Sequence, residues 1–140
     1  MRVLIGYDDS PQADAALAFA VERFGGENLV ALTVIDPVEA GYASGIGLPS
    51  TSEQWYDEAR ETARDELAAA RDRAAEAGVE LDTAVEVGRP ARTIVTYAEE
   101  HDVDHVVLGS HGRSGVSRIL LGSVAESVLR RSPVRVTVIR

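Results

Sequence analysis

The spacing of apolar residues along the chain alternates between two patterns. Short apolar runs are typical of strands, and longer segments between them place apolar residues three or four positions apart, as helices do. The strand-like runs lie at residues 3–5, 29–35, 79–87, 104–108 and 134–139. The helical segments begin near Pro11, Glu53, Pro90 and Leu121. This strict alternation predicts an α/β fold: a doubly wound, five-stranded parallel sheet in a Rossmann-like, three-layer α/β/α arrangement.

Capping residues mark where the predicted helices begin. Ser10 followed by Pro11 is typical of an N-cap and the first helical position. Ser123 and Glu126 have the spacing of a capping box, which predicts a second helix start. Residues 36–52 follow no periodicity and predict a long loop of the kind that tends to carry function.

Size and composition predict a single domain over residues 1–140. A chain of 140 residues with 45% hydrophobic and 26% charged residues can bury one ordinary core, and it contains no cysteine for disulfides or thiolate metal sites. The first residues lack the long apolar region of a signal peptide, and no apolar run approaches the roughly 20 residues of a membrane span. We therefore expect a cytoplasmic protein with no membrane partner.

Charge is distributed unevenly along the chain. Residues 1–105 hold 8 arginines against 22 acidic residues, a net charge of −14, whereas residues 106–140 hold 6 arginines against one glutamate, a net charge of +5. An acidic body repels nucleic acid, so we expect no nucleic-acid partner. The basic C-terminal part is compatible with a local anion site, although Arg130 and Arg131 equally suit the C-terminal end of a helix.

Glycines near the fourth strand are the densest candidate for chemistry. Gly109 and Gly112 are followed, after nine intervening residues, by Gly122 and Ser123 at a predicted helix start. Glycine lets main-chain amides approach a phosphate, and a helix N-terminus adds free amides, so a Cβ at Gly122 is expected to intrude on the phosphate. Each glycine alone is more simply explained by a turn, but the combined spacing favours phosphate binding.

Other candidate residues follow the predicted strands. Ligands of doubly wound sheets bind beyond the carboxyl ends of the strands, where strand order reverses. Asp8 follows the first strand and can accept a hydrogen bond from a ribose hydroxyl or a base, or equally cap the next helix. Val34, in the second strand, is more simply a core residue. His111 beside Ser110 imitates part of a hydrolytic triad by composition alone.

The glycine spacing also resembles that of a known family. The segment GSHGRSGVSRILLGS, from Gly109 to Ser123, resembles the Gly-x2-Gly-x9-Gly-Ser signature of universal stress proteins, and the resemblance covers the whole chain. It implies an adenine nucleotide alpha hydrolase-like fold, ATP as ligand with Mg²⁺ carried by the nucleotide, and a homodimer through the strand at 134–139. The nucleotide-binding residues that it implies are Asp8, Val34, Gly109, Gly112, Arg113, Gly122, Ser123 and Val124. Two departures are Asp9, where many members have Gly, and Arg113, which replaces the Lys of others.

Three functions are compatible with these residues. The favoured one is an ATP-binding regulatory protein with slow or no hydrolysis and an unidentified protein partner. A weak ATPase or phosphoryl transferase is the second, although no residue is evident that would orient the attacking group. The third is a dimeric interaction module that needs no nucleotide and pairs through the edge strand at 134–139. The chain contains no lysine, which excludes a Walker A loop, and no catalytic residue is predicted.

Overall fold

The structure is a computed structural model that describes residues 1–38, 52–111 and 121–140. The strands of the described chain are β1 (Arg2–Gly6), β2 (Asn28–Ile35), β3 (Leu81–Val87), β4 (His105–Gly109) and β5 (Arg135–Ile139). Its longer helices are α1 (Pro11–Phe24), α2 (Ser52–Glu76), α3 (Pro90–Glu100) and α4 (Ser123–Arg131). Residues 39–51 of the predicted loop lie outside the described residues.

The strands form one parallel sheet in the order β3-β2-β1-β4-β5. Chain order runs in one direction from β1 to β3 and then resumes on the other side of β1, so strand order reverses between β1 and β4. The runs predicted at 79–87 and 134–139 lie at the two edges. This sheet confirms the predicted doubly wound α/β fold.

Helices cover both faces of the sheet, because successive side chains of a strand point in opposite directions. Val3 and Ile5 of β1 are fully buried in a core with α1 and α2. Leu4, between them, is buried in a second core to which α3 and α4 contribute Ile94 and Val128. Burial on both faces explains why the central strands are almost continuously apolar.

Of the two predicted helix caps, the structure confirms the one at Ser10 and contradicts the one at Ser123. Ser10 is the N-cap of α1, with its Oγ accepting a hydrogen bond from the Ala13 amide at 3.1 Å, which confirms the predicted cap. The capping box at Ser123 is wrong, because the N-cap of α4 is Gly122, which is extended and has no side chain to form a cap. Glu126 instead pairs with Arg130 at 3.1 Å. Among the described helices, none has the length and apolar character needed to cross a bilayer.

Candidate functional site

A cavity of about 470 Å³ opens over the carboxyl edge of the sheet, where strand order reverses. It lies between the helical layer that contains α1 and α2 and the layer that contains α3 and α4. The residues that line it are Gly6, Tyr7, Asp8, Ala13, Leu32, Thr33, Val34, Ile35, Asp36, Trp55, Ala59, Thr62, Ala63, Glu66, Pro90, Ile94, Leu108, Gly109, Ser110, His111, Gly122, Ser123, Val124 and Ala125. The volume is within the range of small-molecule sites, about 300–1,000 Å³.

Six of the eight residues that the sequence singled out line this one cavity. They are Asp8, Val34, Gly109, Gly122, Ser123 and Val124. The other two, Gly112 and Arg113, lie outside the described residues. The fold thus brings together residues that are more than a hundred positions apart in sequence.

Asp8 helps to shape the turn that leads from β1 into α1. Its Oδ1 accepts a hydrogen bond from the Ser10 amide at 3.1 Å, whereas Ser10 itself caps the helix. Asp9 follows with φ of +61°, in the left-handed region that glycine adopts more readily. The Asp8 carboxylate therefore supports the turn and borders the cavity, and the alternative that Asp8 caps α1 is wrong, because Ser10 is the N-cap.

Neighbouring protein atoms leave no space for a Cβ at Gly109 or Gly122. A Cβ added to Gly109 would lie 2.7 Å from the main-chain carbonyl carbon of Gln12 in α1. A Cβ added to Gly122 would lie 2.7 Å from the carbonyl oxygen of Ser110, which already accepts a hydrogen bond from the Gly122 amide at 2.7 Å. A Cβ at Gly122 would therefore meet the protein's own main chain, and its effect on a phosphate stays a prediction.

The start of α4 provides main-chain donors at the cavity. The first amides of a helix have no partner within the helix, and here the N-cap is Gly122, which has no side chain to cap them. Ser123, Val124 and Ala125 form this first turn and all line the cavity. Free amides together with the positive end of the helix dipole form an environment suited to an anion.

Carboxylates border other parts of the same cavity. Asp8, Asp36 and Glu66 are among its lining residues, and within the described ranges no arginine lines it. Asp36 Oδ1 accepts a hydrogen bond from the Val38 amide at 2.9 Å, which holds the chain where it leaves β2. The described lining thus offers amide donors at α4 and carboxylate acceptors elsewhere. Such a lining suits a ligand with an anionic group at one end and hydrogen-bond donors at the other.

Tyr7 forms part of the cavity wall and links it to two helices. Its hydroxyl donates to Asp14 Oδ1 at 2.6 Å and accepts a hydrogen bond from Arg73, whose guanidinium also pairs with Asp14 at 2.8 Å. Burial, followed by the hydrogen bond to Asp14, raises the pKa of Tyr7 to about 12. The hydroxyl therefore stays protonated near neutral pH, and its hydrogen bonds link the end of β1 to α1 and α2.

The histidines do not form the sites that composition would allow. Ser110 Oγ lies 3.1 Å from Nδ1 of His111, the ring nitrogen that faces the carboxylate in a hydrolytic triad, so the arrangement is not that of a triad. His101 stacks on Tyr97 with ring centroids 3.8 Å apart, and His105 Nε2 lies 2.7 Å from Thr137 Oγ1. No group of three or more metal-ligating side chains occurs in the part of the chain that the structure describes.

The sequence reasoning missed the wall of the cavity that α2 supplies. Trp55, Ala59, Thr62, Ala63 and Glu66 line the cavity at the three- and four-residue spacing of one helix face. That spacing is visible in the sequence, but the same face farther along, from Leu67 onward, is buried core. Periodicity alone therefore assigns the whole face to the core, and only the fold shows where the core ends and the cavity begins.

Comparisons with known proteins identify relatives that match this chain over nearly its whole length. The model of the Universal stress protein family matches residues 1–140. Universal stress protein YxiE of Bacillus subtilis is 31% identical, with 99% of this chain and 98% of that protein covered. Universal stress protein MJ0577 of Methanocaldococcus jannaschii is 30% identical, with 99% and 94% covered. The solved structure of MJ0577 has a TM-score of 0.85 at 28% identity, again covering 99% of this chain and 94% of the other.

Two further solved structures carry nucleotides. One is a universal stress protein in complex with cAMP, with a TM-score of 0.69 at 27% identity and coverage of 100% of this chain and 96% of the other. The second is the universal stress protein of Archaeoglobus fulgidus in complex with dAMP, with a TM-score of 0.67 at 26% identity and coverage of 100% and 98%.

Proposed function

Since the chain belongs to the universal stress protein family, we propose that it is a cytoplasmic, nucleotide-dependent regulatory protein that binds ATP in the cavity over β1, β2 and β4. The observation that carries the proposal is the start of α4, where the N-cap is a glycine and the first turn lines a cavity of about 470 Å³ at the reversal of strand order. Two similar structures in complex with cAMP and dAMP support an adenine nucleotide as the ligand.

The proposed orientation follows from the polarity of the lining. The phosphates lie at the first turn of α4, against Ser123 and Val124, with Gly109 and Gly122 allowing the chain segments to approach closely. Gly112 and Arg113 of the sequence signature complete the phosphate end. Asp8 and Val34 lie at the adenosine end, where a carboxylate can accept hydrogen bonds from ribose hydroxyls.

Mg²⁺ enters this proposal only with the nucleotide. Mg²⁺ usually keeps several waters and binds through one or two carboxylates together with substrate phosphates. The proposed orientation places no described carboxylate at the phosphate end, and a dedicated cage of three side chains is absent from the described residues, so phosphate oxygens and water would supply the ligands. The metal would neutralise phosphate charge, and the chain's own residues position the nucleotide.

We propose slow or no hydrolysis. Three polar groups of the described lining bond to the chain close to them: Asp8 to the Ser10 amide, Asp36 to the Val38 amide, and Ser110 Oγ to the ring of His111. A general base needs a free hydrogen-bonding position directed at the attacking water. Measured turnover above about 1 per second, the low end of typical enzymes, would favour an ATPase instead.

A pair of variants at Ser123 tests the contribution of a main-chain amide. Ser123→Pro removes the amide and the hydroxyl, whereas Ser123→Ala removes the hydroxyl alone. Proline fits here because Ser123 is the first residue of α4 and Gly122 before it is already extended, with ψ of 152°. The proline variant should bind ATP more weakly than the alanine variant by about 10- to 100-fold, the value of a hydrogen bond to a charged group.

Calorimetry with ATP and with adenosine provides the measurement. Adenosine carries no phosphate, so both variants should bind it as the wild-type protein does. Equal ATP affinity of the two variants would show that this amide is not a ligand. No heat from wild-type protein with millimolar ATP would refute ATP binding altogether.

We also propose a homodimer through the edge strand β5. The Ser110 amide donates to the Ile139 carbonyl at 2.7 Å, so the main-chain groups of Ile139 face β4 and those of Val136 and Val138 face away from the sheet. At the opposite edge, Arg71 bonds to the Leu81 carbonyl at 3.3 Å and so covers β3. Ser132 Oγ bonds to both main-chain groups of Val134, just before β5, but among the described residues no side chain bonds to the outward groups of Val136 and Val138, which favours β5 as the pairing edge.

The dimer is tested at the outward-facing amide of Val138. Val138→Pro removes that amide and no hydrogen bond to β4, and Val138→Ala is the matched control for the lost side chain. Sedimentation should show monomers for the proline variant and dimers for the alanine variant. A proline variant that remains dimeric would place the contact elsewhere.

A further inference from the structure

The cavity wall formed by α2 changes in character along the helix. Toward the C-terminal end the inward face is buried core, with Leu67 and Ala70 almost fully inaccessible to solvent. Nearer the start, Ala59 and Ala63 are small and line the cavity, and Trp55 lines it one turn before Ala59. The helix thus presents two small residues beside one large aromatic ring.

Trp55 is not explained by packing alone. Its side chain is half-buried, whereas Ala63 and Leu67 on the same face are 3% and 2% exposed. The recorded ring contact of Trp55 is with its own neighbour Tyr56, edge to face with centroids 5.7 Å apart. A large ring that borders a cavity without entering the core has apolar surface left to offer a ligand.

The opposite wall of the cavity is also apolar. Val34, Pro90 and Ile94 line it, and Val34 and Ile94 belong to the core on the other face of the sheet from α2. The space between Trp55 and these residues is therefore bounded by apolar groups on both sides. A flat aromatic group suits such a space, because it buries both faces at little conformational cost.

We propose that Trp55 stacks on the base of the bound nucleotide and gives the site its preference for purines over pyrimidines; this inference rests on the proposed function. The first turn of α4 and Trp55 lie in opposite helical layers, so a nucleotide with its phosphates at Ser123 extends its base toward α2. A purine presents a larger aromatic face than a pyrimidine, so stacking on Trp55 should contribute more to the binding of a purine nucleotide.

The test compares ligands that share phosphates and differ in the base. Wild-type protein, Trp55→Ala and Trp55→Phe are titrated calorimetrically with ATP, CTP and inorganic tripolyphosphate. Removing a stacked aromatic side chain should weaken ATP binding by about 5- to 100-fold. CTP affinity should fall less, so the ratio of ATP to CTP affinity should decrease, and tripolyphosphate affinity should not change. Trp55→Phe should restore most of the ratio.

A control and an internal reporter accompany the titrations. Tyr97→Leu removes an aromatic ring of α3 that stacks on His101 and does not line the cavity, so its ATP to CTP ratio should equal that of wild-type protein. Trp55 is the one tryptophan of the chain, so ATP should change the intrinsic fluorescence of wild-type protein.

The outcomes separate this inference from the proposal on which it rests. Wild-type protein that binds ATP, together with an unchanged ATP to CTP ratio in Trp55→Ala, overturns base stacking and leaves ATP binding intact. Wild-type protein that does not bind ATP overturns both. A loss of tripolyphosphate affinity equal to the loss of ATP affinity would show that Trp55 supports the fold of the site, and would also overturn stacking.

Discussion

Gly109→Ala should destabilise the protein in the absence of any nucleotide. The added Cβ would lie 2.7 Å from both the main-chain carbonyl carbon and the Cβ of Gln12, and 2.9 Å from its carbonyl oxygen. These atoms belong to the first turn of α1, just after Ser10, the buried N-cap. A helix main chain cannot move aside as a flexible side-chain end does, so α1 and β4 must separate.

The expected cost is that of inserting one methyl group into a close-packed contact, about 1–3 kcal/mol. For a chain of 140 residues, 1 kcal/mol corresponds to roughly 3–5 °C in Tm, so the variant should unfold about 3–15 °C below wild-type protein. Gly26→Ala is the matched control, because no atom lies within 4 Å of the added Cβ. Its Tm should equal or slightly exceed the wild-type value.

Circular dichroism of the nucleotide-free proteins measures both transitions. Equal Tm values for Gly109→Ala and wild-type protein would refute the close approach of α1 to β4. If that stable variant had also lost ATP affinity, Gly109 would have to be small for the sake of the ligand alone. From the contact with Gln12 we expect Gly109→Ala to lose stability before any ligand is added.

Three further results are expected. In a spectroscopic titration of the four tyrosines, the one that ionises near pH 12 should disappear in Tyr7→Phe, because burial and the bond to Asp14 raise the pKa of Tyr7 to about 12. Burial, and secondarily the charge of Arg135, lower the pKa of His105 below 6.5, so His105 binds a proton less readily in the folded state than in the unfolded state. The free energy of unfolding should therefore decrease as the pH falls below 6.5, and it should decrease less in His105→Gln. Asp9→Val should lose about 1–2 kcal/mol of stability and Asp9→Asn little, since φ of +61° suits valine poorly; equal urea midpoints would contradict this.

The sequence predicted the fold well because its signals are local and agree with each other. Continuous apolar runs indicate strands buried on both faces, and helical spacing between them indicates parallel crossovers, so the doubly wound sheet follows. Ser10 was identified correctly because an N-cap depends on the next three residues. The same reasoning was wrong at Ser123, where a longer-range contact decides the cap: the Gly122 amide bonds to the Ser110 carbonyl, and the helix begins one residue earlier than the capping box requires.

The candidate site was predictable in part. Asp8 and Val34 were identified because the carboxyl ends of parallel strands meet at one edge of the sheet, and both line the cavity there. Trp55 was not, because its place in the cavity depends on how α2 packs over the sheet. Asp36 was missed although it follows β2 directly, so the strand-end argument that identified Asp8 applies to it as well. For Gly109, sequence cannot distinguish space left for a ligand from space left for Gln12, since both require the same missing Cβ.

The polar groups around the cavity connect ligand binding to the arrangement of the chain. Asp8 holds the turn between β1 and α1, Asp36 holds the exit from β2, and the Ser110 carbonyl holds the start of α4 through Gly122. A nucleotide that contacts these groups therefore contacts three connections of the fold at once. A ligand can shift a conformational equilibrium only by its difference in affinity for the two states. In the proposed regulatory role, contacts distributed over several connections would supply that difference.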